Sequence, residues 1–313
     1  MSDLTANMLA TALMIAATAA PAYARPDPKV EIGYIAADRD ITLRRMVVRK
    51  PDSKGTVLLL HGFPETLQTW NDVALALGED FEVHAFDWPG FGLSSRPSAE
   101  RFAYAPRDYA RVLRAYIDKA GIDRSKLTIY ATDIGALPAL LAALDEPDIA
   151  RTIVVGDFAP FDRPGLMHER LQRLKTGEVS EPVRVQLNRE RDDILANAFR
   201  RGLPEKAQFE VSAAFRADMA QGWGHGAITT ADAFYHYYAH FTGDQEHFEA
   251  NVARLRTPVK VVWGADDPYI GKAMGAELAD RLGAELKLLP GVGHYPHLQV
   301  PGETVAEIRA AAR

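Results

Sequence analysis

Short apolar runs alternate with amphipathic stretches along most of the chain. The continuous apolar run 56–60 is typical of a strand buried on both faces. Further strands are predicted at 81–86, 127–130, 152–155, 259–263 and 285–289, and the runs 30–35 and 41–48 flank a polar turn and predict a hairpin. Helical spacing of apolar residues after Pro106 and over 272–282 predicts helices between the strands. This alternation indicates an α/β fold, with a mostly parallel sheet flanked by helices.

The alternation of strands and helices stops after Val155 and resumes at Val259. Residues 158–250 are rich in Arg, Glu, Phe, Tyr and His, and they show helical stretches without a clear strand. The simplest organisation is one α/β domain, formed by residues 25–157 and 251–313. A helical cap is then inserted at 158–250.

The N-terminal residues resemble a secretory signal peptide. Residues 8–20 are apolar and uncharged, and Ala22-Tyr23-Ala24 forms an A-x-A cleavage pattern before Arg25. The stretch is too short to span a bilayer. Because no basic residue precedes it, a short apolar helix lying on the domain is the alternative. We expect residues 1–24 to be a signal peptide and the mature protein to be periplasmic or secreted, or cytoplasmic if the stretch is not a signal.

Composition excludes several classes of function. With 47% hydrophobic and 25% charged residues among 313, the chain has ordinary globular proportions, unlike a disordered, collagenous or multi-span membrane protein. The formal net charge of −6 argues against binding to nucleic acid. The absence of cysteine excludes disulfides and thiolate catalysis. His236 and His240 have metal-pair spacing but no third ligand, so we expect no metal and no cofactor.

Four segments that carry polar side chains and glycine follow predicted strands. They are His61-Gly62-Phe63-Pro64, the segment 87–92, Ala131-Thr132-Asp133-Ile134-Gly135 and Gly293-His294-Tyr295. Parallel strands end at one edge of a sheet, where open α/β sheets place their ligand sites. In this order, the four segments resemble the α/β-hydrolase fold over about residues 29–313.

The third segment resembles the nucleophile elbow of that family, small-x-nucleophile-x-Gly, with Asp133 at the nucleophile position. A carboxylate cannot usefully accept an acyl group, because the product would be an anhydride. It can displace at a saturated carbon and form an alkyl ester. The resemblance therefore implies the aspartate-nucleophile branch, which contains epoxide hydrolases and haloalkane or haloacetate dehalogenases. The alternative is that Asp133 only caps the following helix.

The resemblance also implies a base and an acid. His294 fits the base, since it follows the last strand and completes the chain order nucleophile, acid, histidine. The family spacing after the strand 259–263 selects Asp267 as the acid, with Asp266 as an alternative. Some family members place the acid after the preceding core strand, where Asp157 stands as the second alternative.

The residues around Asp133 favour an epoxide over a halide substrate. The resemblance places the oxyanion hole at the backbone N–H groups of Phe63 and Ile134. Haloalkane dehalogenases usually have Asn or Trp at the first of these positions and Trp at the second. Haloacetate dehalogenases usually carry Arg at the positions of Ile134 and Leu137. Neither pattern is present, although Thr132 also departs from the His of most epoxide hydrolases.

Opening an epoxide requires a proton donor, usually a cap tyrosine. Residues 234–240 contain three tyrosines, of which Tyr238 best matches the family and Tyr235 and Tyr237 are alternatives. The first half of the cap has no tyrosine, so His168 is the candidate second donor. Helix packing is the alternative explanation for each tyrosine, because this segment has apolar residues at helical spacing.

We assign Trp223 and Phe158 to the substrate pocket. The sequence predicts a hydrolase that opens a small apolar epoxide to a diol through an ester on Asp133. The alternatives are a dehalogenase and, from another class, a non-catalytic protein that binds a small ligand on a hydrolase scaffold. We expect no nucleic-acid partner and no membrane anchor, and the sequence carries no signal for the oligomeric state.

Overall fold

The computed structural model describes residues 29–175 and 177–313, which fold around one eight-stranded sheet. The strands are β1 (Val30–Asp38), β2 (Ile41–Val48), β3 (Thr56–Leu60), β4 (Glu82–Phe86), β5 (Leu127–Thr132), β6 (Thr152–Gly156), β7 (Val259–Gly264) and β8 (Glu285–Leu289). Their order across the sheet is β1-β2-β4-β3-β5-β6-β7-β8. β2 pairs antiparallel with β1 and β4, and all other neighbours are parallel. The predicted mostly parallel sheet is confirmed.

Helices cover both faces of the sheet. Those of the described residues are α1 (Asn71–Leu77), α2 (Pro106–Ala120), α3 (Ala136–Asp145), α4 (Glu169–Leu174), α5 (Gly177–Arg189), α6 (Arg191–Asn197), α7 (Ala213–Trp223), α8 (Thr230–Asn251), α9 (Lys272–Leu282), α10 (Pro296–Gln299) and α11 (Pro301–Ala311). In the parts of the chain that the structure covers, none of them is both long and apolar enough to cross a bilayer.

Alternating strand residues divide the core in two, because successive side chains of a strand point to opposite faces. Val57 and Leu59 of β3 belong to the core formed with α1 and α11. Leu58 and Leu60 belong to the larger core formed with α2, α3 and α9. All four side chains are fully buried, as the continuous apolar run predicts.

The chain between β6 and β7 forms an insertion, residues 158–258, that contains α4 to α8. Its longest helix, α8, contacts α2 and α3 of the core and α4, α5 and α7 of the insertion. α8 begins at a capping box in which the Thr229 side chain accepts the Asp232 N–H at 3.0 Å and the Asp232 carboxylate accepts the Thr229 N–H at 2.9 Å. This capping box fixes the start of α8, the helix that carries Tyr235, Tyr237 and Tyr238.

The signal-peptide prediction concerns residues 1–24, which lie outside the described residues.

Candidate active site

Asp133 stands on a sharp turn between β5 and α3. Its φ of 48° lies in the left-handed region that residues other than glycine rarely adopt. The turn requires small neighbours, since a Cβ at Gly62 would lie 2.5 Å from Asp133 Cβ. A Cβ at Gly135 would lie 3.1 Å from the carbonyl oxygen of His61. The backbone therefore holds the Asp133 carboxylate at the carboxyl edge of the sheet.

The structure brings His294 and Asp267 to the same edge. His294 Nδ1 lies 2.7 Å from Asp267 Oδ2, and His294 Nε2 lies 3.8 Å from Asp133 Oδ2. The other oxygen of Asp267 accepts the N–H groups of Tyr269 at 2.7 Å and Ile270 at 3.1 Å. These bonds orient Asp267 and, through it, the imidazole. The alternative acid Asp266 is exposed.

The charges around His294 favour its protonated form. Burial by itself lowers the pKa of the imidazole. The carboxylates of Asp267 and Asp133 outweigh that effect and hold the pKa of His294 well above its ordinary value. The two carboxylates therefore stabilise the imidazolium form of His294.

Asp157, the other alternative acid, lies beside this group. Its Oδ1 accepts the Gly264 N–H at 2.9 Å, while its fully buried Oδ2 has no hydrogen-bond partner in the described chain. Burial, and then the Asp267 carboxylate, raise the pKa of Asp157 well above its ordinary value. Asp157, Asp267 and His294 bring ligand-type atoms within 4.8 Å of one another. Because His294 and Asp267 are already bonded to each other, we interpret the three as an acid–base cluster.

The loop after β3 points a donor at the nucleophile. The Phe63 N–H donates to Asp133 Oδ2 at 2.7 Å, and the Phe63 carbonyl accepts the Tyr295 hydroxyl at 3.0 Å. Ile134, the other predicted oxyanion residue, is buried in the 3-10 turn directly after Asp133. A negative oxygen on Asp133 therefore meets a preorganised N–H.

Glu65 and His297 support this loop, and sequence reasoning did not assign them. Glu65 Oε2 accepts the Gly62 N–H at 2.8 Å, and Glu65 Oε1 lies 2.6 Å from His297 Nε2. Burial would raise the pKa of Glu65, but the His297 imidazole lowers it below its ordinary value. His297 thus serves the loop next to Phe63, and its pairing with Glu65 distinguishes it from His294.

A cavity opens over Asp133 and His294. Its wall comprises Phe63, Asp133, Arg170, Leu171, Leu187, Ile194, Ala198, Arg201, Phe234, Tyr269, His294 and Tyr295. Neither residue predicted for the pocket is in this wall. Phe158 is buried with its ring 6.0 Å from that of Trp263, and Trp223 is buried with its ring 6.0 Å from that of Phe63.

The aromatic cluster of α8 contributes Phe234 to the wall, and Tyr238 lies one turn further on. Their ring centroids are 4.8 Å apart, and Phe234 stacks on Phe63 at 4.1 Å. Burial and the Asp133 carboxylate together raise the pKa of Tyr238 well above its ordinary value. Tyr238 is therefore a buried, protonated phenol in the field of Asp133.

The alternative donors have different surroundings. The Tyr237 ring faces Tyr109 at 5.8 Å and its buried hydroxyl is unpartnered within the described residues. Tyr235 is half-buried beneath Arg184, whose Cζ lies 5.6 Å from the ring centre. His168 is exposed at the start of α4, where its Nδ1 accepts the Arg170 N–H. His168 therefore caps a helix and does not line the cavity.

Comparison with known proteins gives a family and several partial relatives. A family model described as alpha/beta hydrolase fold matches residues 55–301. Haloalkane dehalogenase 2 of Mycobacterium bovis is 35% identical over 108 residues, which cover 34% of this chain and 36% of that protein. Fluoroacetate dehalogenase of a Burkholderia species is 32% identical over 123 residues, or 39% of each chain. This chain thus aligns with little more than a third of either relative.

A solved structure extends the likeness of fold over most of the chain. The crystal structure of the Cif epoxide hydrolase from Acinetobacter nosocomialis superposes with a TM-score of 0.75 and covers 93% of this chain and 90% of that one. At 16% sequence identity the likeness concerns the fold alone. The sheet order, the turn at Asp133 and the family match over residues 55–301 lead to one conclusion. This chain belongs to the α/β-hydrolase fold family.

Proposed function

We propose that this protein is a hydrolase that opens epoxides to diols through a covalent ester on Asp133. The observation that carries the proposal is the arrangement of three groups around the Asp133 carboxylate. Asp133 Oδ2 lies 2.7 Å from the Phe63 N–H donor nitrogen and 3.8 Å from His294 Nε2. On the other side of the imidazole, Asp267 Oδ2 lies 2.7 Å from His294 Nδ1. A nucleophile, an oxyanion donor and a base supported by an acid therefore converge on the same cavity.

In the first step a carboxylate oxygen of Asp133 attacks a ring carbon of the epoxide. A C–O bond forms, the ring C–O bond breaks, and its electron pair stays on the ring oxygen. That oxygen needs a proton, because an alkoxide is a poor leaving group. Tyr238 supports this step, since its raised pKa keeps the phenol protonated and therefore able to donate. The insertion would act as a cap that carries this donor.

In the second step His294 activates a water molecule, which attacks the ester. Forming the ester neutralises Asp133, which is one of the two carboxylates that raise the pKa of His294. The imidazole then releases its proton more readily, which returns Tyr238 to its protonated form, and it can accept a proton from water. Hydroxide attacks the ester carbonyl, and the Phe63 N–H stabilises the resulting oxyanion. As the ester C–O bond breaks, the imidazolium gives its proton to the diol oxygen, and the carboxyl proton left on Asp133 passes to the imidazole, so that the diol leaves and the Asp133 carboxylate reforms.

The cavity wall favours an epoxide over a halide. A leaving halide is an anion that neutral N–H donors can stabilise, and the wall described above contains no Trp, Asn or Gln side chain. Its neutral donors are the phenols of Tyr269 and Tyr295, with Tyr238 close behind Phe234. The names of the two partial relatives make dehalogenation the second candidate.

A substrate panel tests the proposal. Purified protein is incubated with terminal and internal epoxides, with chloro- and bromoalkanes, with fluoroacetate and with p-nitrophenyl esters. Diol formation and halide release are measured, with Asp133→Asn as the inactive control. The proposal predicts diol formation by the wild type alone. Halide release without diol formation would favour a dehalogenase, and binding without turnover of any class would favour a non-catalytic ligand-binding protein.

A further inference from the structure

Two arginines line the cavity that contains the proposed nucleophile. Arg170 lies in α4 and Arg201 follows α6, so both belong to the insertion. The remaining wall contributed by the insertion is apolar and consists of Leu171, Leu187, Ile194, Ala198 and Phe234. Apart from Asp133 itself, this wall contains no acidic side chain. A substrate made only of apolar atoms leaves the two guanidinium groups without a role.

Each guanidinium is only partly neutralised. Arg170 Nη1 lies 2.9 Å from Glu190 Oε2, and Arg201 Nη2 lies 2.5 Å from Asp193 Oδ2. A guanidinium has several N–H donors in a planar fork, so one contact to an acid leaves others free. The side chains of Arg170 and Arg201 are 27% and 39% exposed, and both residues border the cavity. Both therefore retain donors for a ligand.

Tyr269 connects these cations to the catalytic group. Its ring centre is 5.1 Å from that of His294, and its hydroxyl makes a long bond of 3.3 Å to the Ala198 carbonyl. Burial raises the pKa of Tyr269, and the positive charges of His294, Arg201 and Arg170 oppose that rise. The phenol therefore lies in the field of both arginines. This places a cluster of polar donors, Arg170, Arg201 and Tyr269, within the same cavity as His294.

We propose that the natural substrate is an apolar chain ending in a carboxylate, which Arg170 and Arg201 bind while the reacting carbon meets Asp133. A planar carboxylate matches the guanidinium fork. A monoanion suits the site better than a phosphate dianion, because each arginine already shares its charge with an acid. The identity of the reacting group rests on the proposed function above, whereas affinity for the carboxylate does not.

Equilibrium binding tests the inference without turnover. Octanoate and octanamide share one apolar chain and differ in charge at the head group. Calorimetry compares their affinities for the wild type, for the double variant Arg170→Gln/Arg201→Gln, and for each single variant in case the double variant does not fold. Arg173→Gln is the matched control. Arg173 lies in α4, as Arg170 does, but it is exposed and outside the cavity wall.

The inference predicts that the wild type binds octanoate about tenfold to a hundredfold more tightly than octanamide. The double variant should lose this preference, each single variant should lose part of it, and Arg173→Gln should keep it. Added salt should weaken the binding of octanoate and leave that of octanamide unchanged. Equal affinity for the two ligands, binding of neither, retention of the preference by the double variant, or tighter binding of octyl phosphate would each overturn the inference. If the preference holds while epoxides remain unreactive, the proposed reaction fails and the carboxylate site stands.

Discussion

Two buried acids lie next to His294, and their surroundings give them different charges. Asp267 accepts two backbone N–H groups and bonds to the imidazole, whereas Asp157 accepts a single N–H from Gly264. Hydrogen bonds from donors stabilise a carboxylate, and a neighbouring negative charge destabilises one. Asp157 therefore carries the proton, and Asp267 carries the charge that orients His294.

Asp157→Asn tests this division of roles. An amide resembles the neutral acid in shape, so we expect the variant to keep most of its activity. The raised pKa of Asp157 means that the folded state holds a proton that the unfolded state releases above about pH 4. Its contribution to stability is thus complete below that pH and is lost as pH rises towards the folded pKa. Melting temperatures measured from pH 5 to 9 should therefore fall less with pH in the variant than in the wild type, and parallel curves would contradict the assignment.

Tyr238 is tested by removing one hydroxyl. Tyr238→Phe keeps the ring contacts with Phe234 and Phe241 and deletes the proposed proton donor. Loss of one positioned donor to a developing oxyanion typically costs about 10²–10³ in rate. We expect that loss in ester formation from epoxides, measured in single turnovers, with little change in melting temperature. Tyr237→Phe is the matched control, and equal rates in both variants would remove Tyr238 from the mechanism.

At the scale of elements, the strand and turn pattern was the predictable part of the molecule. β3, β5 and β6 are buried along nearly their whole length, so their apolar runs are unambiguous in sequence. Asp133, Asp267 and His294 could be selected because they follow the predicted strands β5, β7 and β8. Helix α1 was not predicted. It is only a seven-residue helix, Asn71–Leu77, which is too short to show a helical period in the sequence.

The residues that line the cavity could not be predicted from the positions of the strands. Arg170 and Arg201 reach the cavity only because the insertion folds over the sheet, and their positions depend on packing between helices. Trp223 and Phe158 look like pocket residues in sequence, but they are buried against other aromatic rings. Tyr295 adjoins a predicted residue, and its role as a donor to the Phe63 carbonyl appears only once the two loops meet.

Arg44 links the core to the insertion. It bonds to Asp87 through Nε at 2.6 Å and to both carboxylate oxygens of Asp218, in α7, at 2.7 Å. Arg44→Leu would leave the fully buried Asp87 without its counter-charge, which typically costs about 3–5 kcal/mol. We expect a loss of that size in the free energy of unfolding, measured with denaturant. Arg49→Leu removes an exposed pair with Glu31 and should cost at most about 1 kcal/mol. Similar losses in both variants would contradict the importance of the buried link.

For the whole molecule, the N-terminal prediction concerns where the protein is located. If residues 1–24 are a signal peptide, protein purified from its native host should begin at or near Arg25 and occur outside the cytoplasm. Mass spectrometry of the intact protein and of its N-terminal peptide measures this directly. An uncleaved Met1 terminus in the cytoplasmic fraction would contradict the prediction.

The central claim is that Asp133 forms a covalent ester that His294 is needed to hydrolyse. The most direct measurement is the intact mass of His294→Gln after incubation with an epoxide that the wild type opens. Because the variant lacks the base for the second step but keeps the nucleophile, we predict a gain of one substrate mass, located on the peptide that contains Asp133. Asp133→Asn/His294→Gln should gain nothing. A wild-type rate of diol formation in Asp133→Ala, or an adduct on another residue, would contradict the proposed ester on Asp133.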